Sequence, residues 1–325
     1  MAVQTATSIA CANIAFIKYW GNCEPEARIP ANGSISMNLD ILQTRTQVTF
    51  DHTLASDQFF LDGQSTSGAV LQRVKSFMDV IRNMAELDLF ARVFSENNFP
   101  SGAGVASSAS GFAALALAAS RAAGLELDEY KLSRLARRGS GSACRSIPGG
   151  FVEWRVDGCD PDSGAVSIAP PEHWLLSDCV TIINRSHKEI GSTEGHSIAY
   201  TSPIQAARVA DAPHRLDICR QAILQRDFDA LAEIMELDSN LMHAVMMTST
   251  PRLLYWEPST LAVIQAVVEW RKSGLPVCYT IDAGPNVHVI CPESQEMQIS
   301  ERLGRIPGVE EVLIAHPGGS TRIVD

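Results

Sequence analysis

Three charged residues stand in segments whose neighbours suit the binding of an anionic substrate. Lys18 precedes the aromatic pair Tyr19-Trp20, Arg145 follows Gly-Ser-Gly-Ser, and Asp282 ends an apolar segment. Lysine and arginine bind carboxylates and phosphates through charge-assisted hydrogen bonds, and a carboxylate after a strand can point into a cleft. Three simpler roles remain open at this point: a surface lysine, a structural salt bridge for the arginine, and a turn or helix-cap aspartate.

A fourth segment, residues 100–109, contains small residues directly before an alanine-rich stretch. Backbone N–H groups and hydroxyls at the start of a helix can surround a phosphate. The pattern is neither GxxxxGK[ST] nor GxGxxG, and an isolated Gly-Ser run is equally well explained as a flexible loop that begins a helix. The candidate ATP-phosphate residues are Ser101, Gly102, Gly104, Ala106, Ser107 and Ser108.

Strand and helix patterns alternate along the chain and predict an α+β protein. We expect strands at 8–17, 44–50, 151–156, 180–184, 277–282, 288–291 and 311–314. We expect helices at 70–89, 106–123, 125–138, 203–224, 228–246 and 259–273. Gly139, at the end of the third helix, suits a left-handed cap. A boundary near residue 180 divides the chain into halves of residues 1–180 and 181–325.

Composition excludes several classes of protein. A chain of 325 residues with 46% hydrophobic residues can bury a large core. The net charge of −11 argues against a nucleic-acid-binding surface. The N-terminus does not resemble a secretory signal, and no apolar stretch is long enough for a membrane span, so we expect a cytoplasmic protein. The eight scattered cysteines contain no CxxC pair, and we expect reduced thiols.

Three sets of segments resemble signatures of the diphosphomevalonate decarboxylases and their close relatives, within the GHMP kinase superfamily. They are residues 12–21 with 29–36, residues 139–154 and residues 280–286, in the order of that family. The loop of residues 100–109 resembles the ATP-phosphate loop of the superfamily. The resemblance implies a two-lobed GHMP kinase fold with a substrate cleft between the lobes. It also implies ATP and Mg²⁺ as cofactors and a homodimer. Because the histidines show no metal-ligand spacing, we expect no metal held by protein ligands.

The resemblance also implies roles for the charged residues. Asp282 would contact the C3 hydroxyl of a phosphorylated mevalonate, Arg145 would bind the C1 carboxylate, and Lys18 would lie close to the reacting groups. ATP would phosphorylate the C3 hydroxyl, after which phosphate and carbon dioxide leave. The residues expected at the 5-phosphate end are Tyr19, Asn22, Ser140, Gly141, Ser142 and Ser192.

Asn22 departs from the family pattern, which has a lysine at this position. Thr193 likewise stands where bacterial relatives often have an arginine. Losing one charge-assisted contact, worth about 1.5 to 3 kcal/mol, weakens a preference for the more highly charged diphosphate. We therefore expect mevalonate 5-phosphate as substrate and isopentenyl phosphate as product, with mevalonate 5-diphosphate as the alternative. That alternative requires another cation to compensate, the candidates being Arg73, Arg185 and Lys188.

Two other classes of function fit the sequence less well. A mevalonate 3-kinase-like enzyme would phosphorylate C3 without decarboxylation, but such relatives diverge at the aspartate and lysine positions. A sensor with a dead site would be expected to lack one of the three charged residues. The histidines show no metal-ligand spacing, and we expect them in the core or on the surface.

Overall fold

A computed structural model describes residues 4–25, 27–99, 107–156, 158–185 and 191–324. The first sheet has eight strands, in the order β14-β1-β4-β7-β5-β6, with β8 pairing with β4 and β9 pairing with β8. Its strands are β1 (Gln4–Ile17), β4 (Ser34–Phe50), β5 (Gln58–Leu61), β6 (Gln64–Ser65), β7 (Ala91–Asn97), β8 (Phe151–Trp154), β9 (Ala165–Ala169) and β14 (Arg322–Val324). A separate hairpin joins β2 (Asn22–Glu24) to β3 (Ile29–Pro30).

The second sheet is antiparallel, with the order β11-β12-β10-β13. Its strands are β10 (Leu176–Ile182), β11 (Cys278–Thr280), β12 (Val287–Pro292) and β13 (Glu311–Ala315). The helices are α1 (Gly68–Ala85), α2 (Ser107–Ala122), α3 (Glu129–Gly139), α4 (Ser192–Ile198), α5 (Gln205–Gln225), α6 (Phe228–Thr248), α7 (Pro258–Lys272) and α8 (Glu296–Leu303). A short 3₁₀ helix, Gly141–Ser146, follows α3.

The three largest of five hydrophobic clusters among the described residues hold the sheets and helices together. The first lies between the first sheet and α1, α2 and α3, and the third lies between the second sheet and α7 and α8. The central core joins β1 and β4 to β10, α5 and α6. The two halves of the chain therefore share a buried apolar interface, which holds the ends of β1 and β11 in fixed positions.

An irregularity in the pairing of β1 with β4 separates two parts of β1 that face different cores. The register against β4 shifts between Cys11 and Ala12. Ala10 accordingly belongs to the core beneath α2, whereas Ile14, two alternations further on, belongs to the central core. At this point the partner in β4 changes from Gln43 to Leu39, so residues 40–42 of β4 are skipped in the pairing with β1. Asn13 therefore faces away from the central core, towards the 3₁₀ helix that carries Arg145.

The predicted elements are present with shifted ends, and one cap prediction is wrong. Gly139 is the last residue of α3, and the cap residue is Ser140 in an extended conformation. Gly139 is required for a different reason: a Cβ atom built there would lie 2.0 Å from the Phe112 ring. The glycine permits close packing of α3 on α2. The C-terminal strand β14, which the sequence did not suggest, returns to pair with β1.

Two of the eight cysteines are not the reduced thiols that we expected. Cys23 and Cys159 form a disulfide between the β2–β3 hairpin and the loop after β8. The other six cysteines are free and buried. Sequence spacing gives no sign of a pair 136 residues apart. None of the helices in the described part of the chain is long and apolar enough to cross a membrane.

Candidate active site

Lys18 and Asp282 form an ion pair although they are 264 residues apart in the sequence. The Lys18 Nζ atom lies 2.6 Å from Asp282 Oδ1. The side chain of Lys18 is 2% exposed, whereas that of Asp282 is 25% exposed. Burial lowers the pKa of Lys18, and the charge of Asp282 opposes this shift. The Lys18 ammonium is therefore buried, whereas the Asp282 carboxylate is partly accessible to solvent. The surface-lysine explanation for Lys18 is wrong.

The backbone brings these two residues together from the two sheets. Lys18 follows the end of β1, and Asp282 lies two residues beyond the end of β11. The Thr280 hydroxyl donates to the Ala15 carbonyl at 3.2 Å and so fixes one strand end against the other. The ion pair therefore marks the junction between the halves of the chain, where the sequence predicted the cleft.

Arg145 is a buried cation with neutral partners. Its guanidinium donates to Ser34 Oγ at 2.6 Å and to Asn13 Oδ1 at 3.2 Å. Arg145 is 3% exposed, its Nε has no hydrogen-bond partner, and it forms no ion pair among the residues that the structure describes. Burial lowers its pKa, and its charge in turn lowers the pKa of Lys18. The charge of Asp282 opposes the lowering of the Arg145 pKa, but the direct hydrogen-bond acceptors of the guanidinium are neutral, so it is suited to receive an anionic group.

Tyr19 is enclosed by aromatic and glycine residues. Its ring stacks on His196 with 4.1 Å between centroids, and its hydroxyl donates to Asn22 Oδ1. A Cβ atom built on Gly141 would lie 2.5 Å from the Tyr19 ring, so only glycine allows this approach. Burial raises the pKa of Tyr19, which keeps the phenol neutral as a donor and acceptor. The structure therefore brings Tyr19, Asn22 and Gly141 together.

The candidate ATP residues lie partly inside the described chain. Ser107 and Ser108 form the first turn of α2, and both are half-buried. The Ser108 hydroxyl lies 3.2 Å from that of Ser140, which connects the helix start to the segment before Arg145. The four remaining candidates, Ser101, Gly102, Gly104 and Ala106, lie outside the described residues.

Ser142 and Ser192 occupy different surroundings. The carbonyl of Ser142 accepts a hydrogen bond from Asn13 Nδ2 at 3.3 Å, which places Ser142 beside Arg145. Ser192 is the first residue of α4, and its side chain is exposed. The same helix carries His196 onto Tyr19, so α4 itself borders the site.

Two arginines lie near the position where a lysine is missing. Arg73 donates twice to the Gly139 carbonyl, at 3.0 and 2.8 Å, and burial together with Arg28 lowers its pKa to about 10. Arg28 also opposes ionisation of His196, whose pKa burial and this charge lower to about 3. Arg185, by contrast, pairs with Glu310 and Glu311 on the surface. The other candidate for compensation, Lys188, lies outside the described residues.

Sequence reasoning missed several residues that complete the site. Asn13 is the one polar residue in the second part of β1, residues 9–17, which was a usable signal. Ser34 and Arg28 gave none, because their proximity depends on tertiary contacts. His196 was expected in the core or on the surface, but its Nδ1 accepts the Gly21 N–H at 3.0 Å and its ring stacks on Tyr19. Contacts made by these side chains hold the signature segments of the sequence in position relative to one another.

The arrangement combines a carboxylate, an ammonium, a guanidinium and a helix start that can receive phosphate. Within the described ranges there is no group of three or more His, Cys, Asp or Glu side chains that could hold a metal ion. Carboxylate and ammonium together suit proton transfer at a hydroxyl, and the guanidinium suits a second anionic group of the same molecule. This chemistry requires a small substrate with a hydroxyl and at least one anion.

Comparisons with known proteins agree with this arrangement. Residues 10–165 match the diphosphomevalonate decarboxylase-like N-terminal domain, and residues 179–314 match the mevalonate 5-diphosphate decarboxylase C-terminal domain. The diphosphomevalonate decarboxylase of Candida albicans is 36% identical over 94% of this chain and 90% of its own length.

Solved structures extend the comparison to the fold. Mevalonate diphosphate decarboxylase from Staphylococcus aureus has a TM-score of 0.95 and 36% identity, covering 100% of this chain and 99% of its own. A complex described as MDDEF with MVAPP, AMPPCP and magnesium has a TM-score of 0.94 and 36% identity, with 100% of both chains covered. The α+β GHMP-type fold is confirmed. The chain belongs to the diphosphomevalonate decarboxylase family.

Proposed function

We propose that this protein is an enzyme that decarboxylates mevalonate 5-diphosphate to isopentenyl diphosphate with consumption of ATP. The observation that carries the proposal is the buried Lys18–Asp282 pair next to Arg145, a cation without an ion-pair partner among the described residues. Family membership narrows the substrate to a phosphorylated 3-hydroxy acid. The carbon dioxide released comes from the C1 carboxylate of that acid.

Each charged residue has a distinct part in the proposed reaction. Asp282, paired with the Lys18 ammonium, orients the C3 hydroxyl and accepts its proton while the γ-phosphoryl group of ATP is transferred. Arg145 holds the C1 carboxylate. The C3–O bond then breaks with departure of phosphate, and the C1–C2 electrons form the C2=C3 double bond as carbon dioxide leaves. Positioning by Arg145 aligns the breaking C1–C2 bond with the developing cation at C3.

In this proposal, ATP binds at the start of α2. Ser107 and Ser108 present hydroxyls at the N-terminus of a 16-residue helix, where backbone N–H groups favour phosphate. Mg²⁺ would be held mainly by phosphate oxygens and water, with serine hydroxyls as suitable further oxygen ligands. It would neutralise charge on the nucleotide phosphates. The bond between Ser108 and Ser140 connects this site to the 5-end of the substrate.

The number of phosphates at the 5-end was predicted from Asn22, and the comparisons favour the opposite answer. The similar proteins are named for the diphosphate. Arg28 and Arg73, which lie around Tyr19, supply positive charge close to the missing lysine. Diphosphate is therefore the main proposal. Mevalonate 5-phosphate remains the second candidate, because Asn22 is neutral and its side-chain oxygen is engaged by Tyr19.

The proposal is tested by measuring carbon dioxide release with ATP from each mevalonate ester under the same conditions. A higher kcat/KM for the diphosphate supports the main proposal, and a higher value for the monophosphate supports the second. Phosphate transfer without carbon dioxide would indicate the 3-kinase-like alternative. Binding of a mevalonate ester without turnover would indicate a sensor. A homodimer and a cytoplasmic location remain proposals, which sedimentation and cell fractionation would test.

A further inference from the structure

The main chain of Lys18 is held entirely by side chains. Its N–H donates to Asp238 Oδ2 at 2.6 Å. Its carbonyl accepts from Asn32 Nδ2 at 2.9 Å and from Arg208 Nη2 at 2.8 Å. Asp238 lies on α6 and Arg208 on α5, so both belong to the C-terminal half of the chain. Two of the three side chains that hold the Lys18 backbone therefore come from the other half of the chain.

Asp238 is itself fixed by a second arginine. Arg215 Nε donates to Asp238 Oδ1 at 2.7 Å, and Arg215 Nη2 donates to the Arg208 carbonyl at 2.9 Å. The side chain of Asp238 is 0% exposed, and those of Arg208 and Arg215 are each 1% exposed. Each Asp238 oxygen thus has its own donor. Replacing a whole buried ion-pair cluster of this kind by well-packed apolar residues is often neutral or stabilising, whereas removing the carboxylate alone leaves the arginines without their counterion and is destabilising. Stability alone therefore does not explain why the cluster is charged.

The next residue of α6 holds the other half of the ion pair. Ser239 Oγ accepts the Ile281 N–H at 3.0 Å, directly before Asp282. The His243 ring, one turn later on α6, lies 3.3 Å from the Ile281 carbonyl. Two consecutive residues of α6 therefore bind the backbones that carry Lys18 and Asp282. A small displacement of α6 would change the geometry of the reacting groups.

We propose that Asp238 is a positioning residue, which together with Ser239 makes α6 a rigid support for the Lys18–Asp282 pair. This inference rests on the proposed function only in assigning Lys18 and Asp282 to the reacting groups. Asp238 does not touch substrate in this account, because it lies behind the Lys18 backbone. Its effect on catalysis comes from fixing where the Lys18 ammonium and the Asp282 carboxylate meet the C3 hydroxyl.

The charges around Lys18 set its pKa, so the proposal can be tested by the dependence of kcat/KM on pH. Burial lowers the pKa of Lys18, Asp282 and Asp238 raise it, and Arg145 lowers it; Lys18 in turn lowers the pKa of His243. Since the protonated amine is the active form, kcat/KM falls as pH rises through this pKa. Replacing Asp238 by asparagine removes a negative charge. The alkaline limb of the profile then moves to lower pH.

The test compares Asp238→Asn with a matched control, after carbon dioxide release by the unaltered protein has been established. The control is Asp178→Asn, which removes an equally buried carboxylate, one that pairs with His288 at 2.6 Å in the second sheet. The quantities measured are kcat, the KM for the mevalonate ester and for ATP, the pH profile of kcat/KM and the fraction of folded protein. If the unaltered protein releases no carbon dioxide, the proposed function fails independently of this inference.

Asp238→Asn is expected to lower kcat per folded enzyme about a hundredfold, because a displacement near 1 Å has that effect. Its alkaline limb should move to lower pH, while Asp178→Asn keeps the kcat and profile of the unaltered protein. Unchanged kcat and profile in Asp238→Asn, or an equal loss in the control, would overturn the proposal. If Asp238→Asn does not fold, Ser239→Ala decides: a tenfold lower kcat per folded enzyme supports the proposal, and an unchanged value overturns it.

Discussion

The Arg145→Gln variant distinguishes the effect of this buried charge on stability from its effect on catalysis. In the structure the guanidinium is 3% exposed, is held by Ser34 and Asn13, and makes no ion pair with a described residue. Glutamine retains an amide donor for these neutral partners. It removes a charge that burial opposes, as the lowered pKa of Arg145 indicates. The folded protein without substrate should therefore lose little stability, and the free energy of unfolding should fall by less than about 1 kcal/mol.

The loss of activity should be much larger. Removing one partner of a buried charge pair costs about 2 to 5 kcal/mol, because the substrate carboxylate is left without its counterion. At about 1.4 kcal/mol for each factor of ten, kcat/KM should fall by roughly 30-fold to 4000-fold. The assay is carbon dioxide release over a range of substrate concentrations, with urea unfolding of the same preparations. Arg145→Lys serves as the control, because lysine keeps the positive charge but lacks the planar guanidinium. Its kcat/KM should lie between that of the unaltered protein and that of Arg145→Gln.

A kcat/KM for Arg145→Gln within threefold of the unaltered protein would refute this reasoning. So would a loss of several kcal/mol in the free energy of unfolding, since that would mean that Arg145 stabilises the fold. In that case the structural explanation for the arginine, which the sequence left open, would be correct. The KM for ATP should not change, because Arg145 forms no hydrogen bond with Ser107 or Ser108 in the part of the chain that the structure describes.

Three further predictions concern the 5-end and stability. Asn22→Lys should raise the ratio of kcat/KM for diphosphate over monophosphate about tenfold or more, measured with both esters. Gly141→Ala should lower the free energy of unfolding by about 1 to 3 kcal/mol, since its Cβ would lie 2.5 Å from Tyr19; calorimetry with unchanged stability would contradict this. Burial is the largest single influence on His316 and lowers its pKa, but Glu296, Asp40 and Glu293 together raise the pKa above its ordinary value. This stabilisation is complete below the unfolded pKa and is lost as pH rises through the folded one. His316→Gln should therefore flatten the dependence of stability on pH above about 6.5, in urea unfolding at several pH values.

Local patterns predicted α1–α3, α5–α7 and the strands β1, β4, β8 and β10–β13, because periodicity and chain punctuation act over short distances. They did not predict α4, α8 or the strands β2, β3, β5–β7, β9 and β14. The roles of the three charged residues stay predictions. Residues that meet only in the folded chain were not predictable. Ser34 reaches Arg145 across 111 residues, and Asp238 reaches Lys18 across 220. The role of Gly139 was misassigned for the same reason, since its constraint comes from the Phe112 ring rather than from a helix cap.

The substrate prediction shows a second limit of sequence reasoning. Asn22 was interpreted as the loss of one positive charge, which is correct for that position. The total charge of a site, however, depends on every side chain that reaches it. Arg28 comes from the β2–β3 connection and Arg73 from α1, and neither is adjacent to Asn22 in a recognisable pattern. Arg73 is a candidate for compensation in the sequence, but its proximity to Tyr19, like that of Arg28, depends on tertiary contacts.

The central claim is that Lys18, Arg145 and Asp282 join phosphorylation of C3 to loss of carbon dioxide. The most direct test is the ratio of carbon dioxide released to ADP formed with mevalonate 5-diphosphate, in the unaltered protein and in Asp282→Asn. We predict one carbon dioxide for each ADP in the unaltered protein, and loss of both products in the folded variant. ADP formation without carbon dioxide, or a near-normal rate in Asp282→Asn, would contradict the claim.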